Sequence, residues 1–187
     1  SAIMVRKIFE TRKNARFYSE LAKRLRVHRG SSEEIKSAEK ALKECYIPPG
    51  WIITDEAHNL CPKDSTTIAK KYFIKLVKEG RSLGLSVVLA TQQPSAVDDK
   101  LISQANLLFI HNLSIVSDVQ AAKNRLTTRF PSEVIINRKK TNDFGDALRE
   151  LDAGQCIASD DNASRTLFMT FRPRYTSHGG REVPTIG

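Results

Sequence analysis

Gly50-Trp51-Ile52-Ile53-Thr54-Asp55-Glu56-Ala57-His58 is the stretch on which the reading of this chain turns. Pro48, Pro49 and Gly50 close whatever precedes it, and a short apolar run then stops at two adjacent carboxylates. Such a run predicts a buried strand over 51–55 that delivers acids to the edge of a sheet. A strand running into an acidic helix start would be spelled the same way, because Asp and Glu are common where helices begin.

Outward from that stretch the pattern is regular. Residues 62–65 form a turn with a good helix cap. Ile68, Tyr72, Phe73, Leu76 and Val77 then share one face of a helix predicted over 66–83, with Gly84 as its stop. Residues 86–92 carry the apolar run Val87-Val88-Leu89-Ala90 and suit a strand buried on both faces of a parallel sheet. A short helix over 95–104, a strand over 107–111, helices near 117–124 and 143–151, and strands over 155–159 and 166–172 follow. Upstream, Ile3, Ile8, Phe9, Phe17, Leu21 and Leu25 recur at helical spacing, giving one helix over 2–27 or two broken near Arg12-Lys13-Asn14. Ser31-Ser32-Glu33-Glu34 is a capping box that starts a second helix ending near Cys45. Strands alternating with helices imply right-handed crossovers and an α/β fold with a mainly parallel sheet, preceded by basic N-terminal helices. The chain therefore divides into a basic helical segment, 1–47, an α/β core, 48–172, and a tail without periodicity, 173–187.

Composition sets outer bounds. The 187 residues are enough for one core, with 27% charged and 40% hydrophobic residues as in ordinary globular proteins. No apolar stretch approaches the roughly 20 residues that span a bilayer, so no membrane association and a cytoplasmic location are expected. Cys45, Cys61 and Cys156 are scattered, without a C-x-x-C pair or a His at ligand spacing, and read as reduced, incidental thiols. Lys and Arg total 30 against 21 Asp and Glu, a net charge of +9 that favours a polyanionic partner without requiring one. Residues 1–29 carry nine of these basic side chains against Glu10 and Glu20. That block is the first place to look for phosphate contacts, although a solvated helix face has the same composition. No individual DNA-contacting residue is singled out.

The chemistry gathers at the strand ends, where open α/β sheets place ligands. Asp55 and Glu56 resemble a Walker B pair, in which the first acid holds Mg²⁺ through water and the second polarises the attacking water. Gln92, at the end of the next strand, can sense a γ-phosphate or orient water, or it is a turn residue ahead of Pro94. Arg81 is either a favourable charge at a helix C-terminus or an arginine finger reaching a neighbouring subunit's nucleotide. His58 reads as a packing or hydrogen-bonding residue, and Lys70, Lys71, Lys75 and Lys78 as the coat of an exposed helix side, with a DNA-facing role as the alternative.

Asp55-Glu56-Ala57-His58-Asn59-Leu60-Cys61-Pro62, Glu79-Gly80-Arg81-Ser82-Leu83-Gly84-Leu85 and Leu89-Ala90-Thr91-Gln92-Gln93-Pro94-Ser95-Ala96-Val97-Asp98 resemble successive motifs of the HerA family, within the HerA–FtsK group of DNA-translocating ATPases. Ser103-Gln104-Ala105-Asn106, Asp118, Leu151-Asp152-Ala153-Gly154-Gln155 and the segment from Arg172 to Gly180 continue the resemblance in order. It implies a partial RecA-like P-loop NTPase core that assembles into a hexameric ring, hydrolyses ATP with Mg²⁺ between subunits and moves along double-stranded DNA in end processing and repair, beside a partner nuclease. By the same resemblance Asp55 assists Mg²⁺, Glu56 activates water, Gln92 is the sensor, Arg81 is the finger acting in trans, and the tail braces an adjacent subunit.

Two departures stand out. Gln93 occupies a position where the family usually has Arg, and no G-x-x-x-x-G-K-[ST] loop occurs in the sequence. The expectation is therefore a C-terminal portion of a larger ATPase, inactive by itself, with a non-catalytic basic DNA-binding or assembly module as the alternative. A DEAH-type helicase, suggested by the literal Asp-Glu-Ala-His, would need Ser-Ala-Thr downstream, where this chain has Ala90-Thr91-Gln92.

Overall fold

The computed structural model describes residues 2–126, 130, 133–173 and 175. It contains two compact units, Ser1–Ala105 and Asn106–Gly187. The tail is, apart from 173 and 175, outside the described residues.

In the first unit, α1 (Ala2–Val27) is one unbroken helix, since no Gly or Pro interrupts it. Val5 and Phe9 lie in the same apolar core as Phe73 and Leu76. Helix α2 (Ser32–Cys45) starts at the expected capping box, in which Ser31 Oγ accepts from Glu34 N and Glu34 Oε2 accepts from Ser31 N. Strand β1 (Gly50–Thr54) leads through α3 (Ala57–Leu60) to α4 (Ile68–Leu83), which returns the chain to β2 (Leu85–Leu89). The two strands pair in parallel, from Gly50 opposite Leu85 to Thr54 opposite Leu89. A 3-10 turn, Pro94–Ala96, and α5 (Asp99–Ile102) stand where one helix over 95–104 was expected. The interruption has a cause: Val97 pairs with Pro62, with Asp98 N donating to Cys61 O at 3.0 Å and Lys63 N to Ala96 O at 2.8 Å.

Strand β2 is not buried on both faces as its apolar run implied. Ile52, Leu85, Val87 and Leu89 pack into the core with α1 and α4, whereas Trp51, Ile53 and Val88 are 71%, 74% and 38% exposed. A single helical layer covers this two-stranded sheet, so alternate residues face solvent.

The end of α4 is tied to α1. Arg12 Nε donates to Leu83 O at 2.7 Å and its Nη1 to Ile47 O at 2.5 Å, while Arg16 Nη1 donates to Ser82 O at 2.7 Å. These two guanidinium groups of the basic N-terminal block thus satisfy helix-end carbonyls, where positive charge is favoured. Gly84 closes α4 at φ +69°, and an added Cβ would lie 3.0 Å from Arg12 Nη2 and 3.2 Å from Pro49 Cβ. Gly84→Ala is expected to lower stability by about 1 kcal/mol or more, read from the urea midpoint.

In the second unit, β3 (Leu107–Ile110), β6 (Gln155–Asp160) and β7 (Arg165–Thr170) form an antiparallel sheet with β6 in the centre. The parallel arrangement therefore holds for β1 and β2 but not here, because residues 161–164 are too few for a crossover and must form a hairpin. Helices α6 (Val116–Lys123) and α7 (Phe144–Arg149) contribute Val119, Phe144 and Leu148 to a core with Ile110 and Ile157. A hairpin of β4 (Val134–Ile136) and β5 (Lys139–Thr141) was not expected. Its two-residue turn, Asn137-Arg138, takes positive φ at both positions, the geometry of a type I′ turn. No helix among the described residues is long and apolar enough to cross a membrane.

Candidate functional site

Parallel pairing ends β1 and β2 side by side, and their ladder runs on past the strands. Ala90 N donates to Thr54 O at 2.8 Å and Ala57 N to Ala90 O at 2.9 Å. Asp55 and Glu56 are thereby set against Thr91 and Gln92. Glu56 turns the chain into α3 with φ 48° and ψ 52°, a left-handed conformation that costs a non-glycine residue about 1–2 kcal/mol. Such strain is retained where surrounding contacts fix it, commonly at functional sites.

The polar contacts are specific. Gln92 Nε2 donates to Glu56 Oε1 at 2.7 Å. Glu56 Oε2 is buried without a hydrogen bond, and His58 Nδ1 stands 3.5 Å from it. His58 Nδ1 is also 2.9 Å from Thr91 Oγ1, which accepts from Gln93 N at 3.1 Å. Asp55 is exposed, with Oδ1 accepting from Glu56 N at 2.9 Å. Its other oxygen has no protein partner among the described residues.

Of the residues singled out in the sequence, the structure gathers Asp55, Glu56 and Gln92. Arg81 is elsewhere. It lies in the last turn of α4, which feeds the opposite end of β2, and a strand of that length spans roughly 17 Å. Its side chain is exposed and makes no hydrogen bond or ion pair among the described residues. A hydrated Mg²⁺ fits Asp55, because this cation keeps several waters and needs one or two carboxylates beside substrate phosphates. Among the described residues no group of three or more His, Cys, Asp or Glu is placed to enclose an ion directly.

Two features of this site escaped sequence reasoning. His58 lies in α3 and Thr91 in the loop after β2, and only the strand register brings them together. Lys70, expected on the exposed side of α4, is 9% exposed. Its Nζ donates to the carbonyls of Pro62, Lys63 and Ser65 and meets Asp98 Oδ2 at 2.5 Å. The segments that follow Glu56 and Gln92 are thus fastened together. A signal was available in Asp98-Asp99-Lys100, a helix start whose cap Asp98 supplies through Oδ1 to Lys100 N. Cys61, buried beside this pair, has its thiol pushed up to about 11 by burial and then by the Asp98 charge, and the three cysteines are all free.

A family model described as zonular occludens toxin (Zot) matches residues 5–143, which include every site residue named above. The chain belongs to the Zot family. The HerA-like resemblance also holds. This Zot-family chain is 30% identical over 115 residues to a probable helicase of Methanocaldococcus jannaschii, covering 60% of the chain and 21% of that protein. It is 27% identical over 109 residues to the DNA double-strand break repair helicase HerA of Sulfolobus acidocaldarius, covering 58% and 20%. The matched segment thus spans about a fifth of the length of these relatives. In structure, the chain is similar to the genome packaging NTPase of Sulfolobus turreted icosahedral virus 2 in complex with sulfate, with a TM-score of 0.51 and 16% identity over 78% of this chain and 62% of that one. The fold is accordingly α/β, a partial RecA-like P-loop NTPase core.

Proposed function

We propose that this chain is the Walker B and sensor portion of an ATP-driven motor that moves double-stranded DNA. The carrying observation is the Glu56 carboxylate, set beside Asp55 at the end of a parallel strand and hydrogen-bonded to Gln92 from the next. In this reading Glu56 is the base that takes a proton from the attacking water, Asp55 holds hydrated Mg²⁺, and Gln92 senses the γ-phosphate. Gln92 Nε2 carries two hydrogens, so one can stay on Glu56 Oε1 while the second is offered to a phosphate oxygen. This reading requires a phosphate-cradling loop, which the 187 residues do not contain. MgATP, when bound, supplies the phosphoryl group and its counter-cation.

The position of Arg81 supports a ring. An exposed guanidinium in the last turn of α4, at the far end of the strands from Glu56, would serve a nucleotide across a head-to-tail subunit contact, the kind of interface that closes into a hexamer. Double-stranded DNA as the polyanionic partner, end processing and repair as the setting, a nuclease as the companion and a cytoplasmic location complete the reading. It draws on the HerA relatives and on the net charge of +9. The domain division into 1–47, 48–172 and a bracing tail over 173–187 belongs to the same proposal.

The test is mixing of dead subunits in the full-length protein. Homomers carrying Glu56→Gln or Arg81→Ala should each lose DNA-stimulated ATP turnover. A one-to-one mixture should regain about a quarter of the active interfaces, because one variant supplies the carboxylate and the other the arginine. A mixture as inactive as its components would place Arg81 outside any role in trans.

A further inference from the structure

The two oxygens of Glu56 are held differently. Oε1 accepts from Gln92 Nε2 at 2.7 Å, whereas Oε2 is buried and lies 3.5 Å from His58 Nδ1, beyond normal hydrogen-bond length. The imidazole is largely covered, its side chain 16% exposed. Nδ1 has a second neighbour, Thr91 Oγ1 at 2.9 Å, and that hydroxyl is itself fixed by Gln93 N at 3.1 Å.

Electrostatics selects the tautomer. With a bare Nδ1, Thr91 would donate to the ring, and the Nδ1 lone pair would face a buried, partnerless carboxylate oxygen. With a proton on Nδ1, one N–H faces two acceptors, Thr91 Oγ1 and Glu56 Oε2, and Thr91 still accepts from Gln93 N. The second arrangement removes a repulsion and places a donor beside the orphaned oxygen.

We infer that His58 is a positioning residue for Glu56. Its Nδ1–H, anchored on Thr91, faces Oε2 while the Gln92 amide holds Oε1, so the carboxylate is oriented from both sides, by α3 and by the loop after β2. The inference rests on the reading of Glu56 as the base.

Isosteres at residue 58 provide the test in the full-length protein. His58→Asn puts an amide nitrogen where Nδ1 stands, whereas His58→Gln puts it near the position of Nε2. The Asn variant should keep kcat within about threefold, and the Gln variant should lose roughly ten- to a hundredfold in kcat with KM for ATP unchanged. From the loop after β2, Thr91→Ser should preserve turnover and Thr91→Val should lower it. In nucleotide-free protein the ring nitrogen shifts of His58 should report a proton on Nδ1, with the population moving towards Nε2–H in Thr91→Val. A bare Nδ1 in the wild type, or Asn and Gln variants that behave alike, would overturn the inference. Glu56→Gln separates the two levels. If it is inactive while His58→Gln turns over normally, only the positioning role falls; if it turns over normally, both readings fall.

Discussion

Lys70→Met should cost the first unit about 3–5 kcal/mol, because it removes the partner of a carboxylate held out of water. Lys70 and Asp98 are 9% and 8% exposed, and the ammonium also satisfies three loop carbonyls that Met cannot serve. The pH dependence has a definite sign. Burial would raise the Asp98 carboxyl, but the Lys70 hydrogen bond, the Lys100 backbone N–H and the charges of both lysines outweigh it and hold the group below its ordinary 3.8. In the wild type its stabilisation is complete above that unfolded-chain value and is lost as pH falls through the lower folded one. In Lys70→Met the Lys70 hydrogen bond and charge vanish while those of Lys100 stay, so burial is opposed less and the carboxyl rises relative to wild type. The penalty is then greatest at neutral pH and shrinks in acid, where Asp98 becomes neutral. Adding Asp98→Asn, which retains an oxygen for the Lys100 N–H cap, should recover the part of the loss that comes from the unpaired carboxylate but not the part that comes from the three loop carbonyls. Urea unfolding of the two single variants and the double variant at neutral and acid pH measures all of this. A single-variant cost below about 1 kcal/mol at neutral pH would mean that the pair behaves as a solvent-screened one.

Local chemistry in the sequence was enough for most of the first unit. The Ser31 capping box, the Gly84 stop and the acids after an apolar run are each decided within a few residues, and each appears where expected. What the letters could not convey depends on partners distant in the chain. An apolar run reads alike whether a strand is covered once or twice, so the exposure of Trp51 and Ile53 was invisible. A Lys at a helical position among other lysines looks solvent-bound unless the returning Asp98 is known to lie against it. The Asn137-Arg138 turn lacks the glycine that usually announces a type I′ hairpin, and short strands beside it carry little periodicity. His58 was legible as a hydrogen-bonding residue, but its partner Thr91 follows from the register of β1 on β2.

Glu56→Gln in the full-length protein should lower ATP turnover by about 10²–10⁴-fold while leaving ATP affinity within a few-fold. The substitution separates proton transfer from shape. Gln has the same length and can occupy the same left-handed turn, and its carbonyl can still accept from Gln92 Nε2 where Glu56 Oε1 now does. Its other end becomes an NH₂ donor facing the His58 ring, which can answer by accepting through Nδ1 while its proton moves to the far nitrogen. Packing and strand ends are therefore kept, and what disappears is a basic oxygen able to take a proton from water. Retained nucleotide binding with lost turnover is the signature of an interaction made in the transition state and not in the ground state. Normal hydrolysis by this variant would assign the carboxylate a structural part, as the acidic start of α3, and would move the search for the base to another residue.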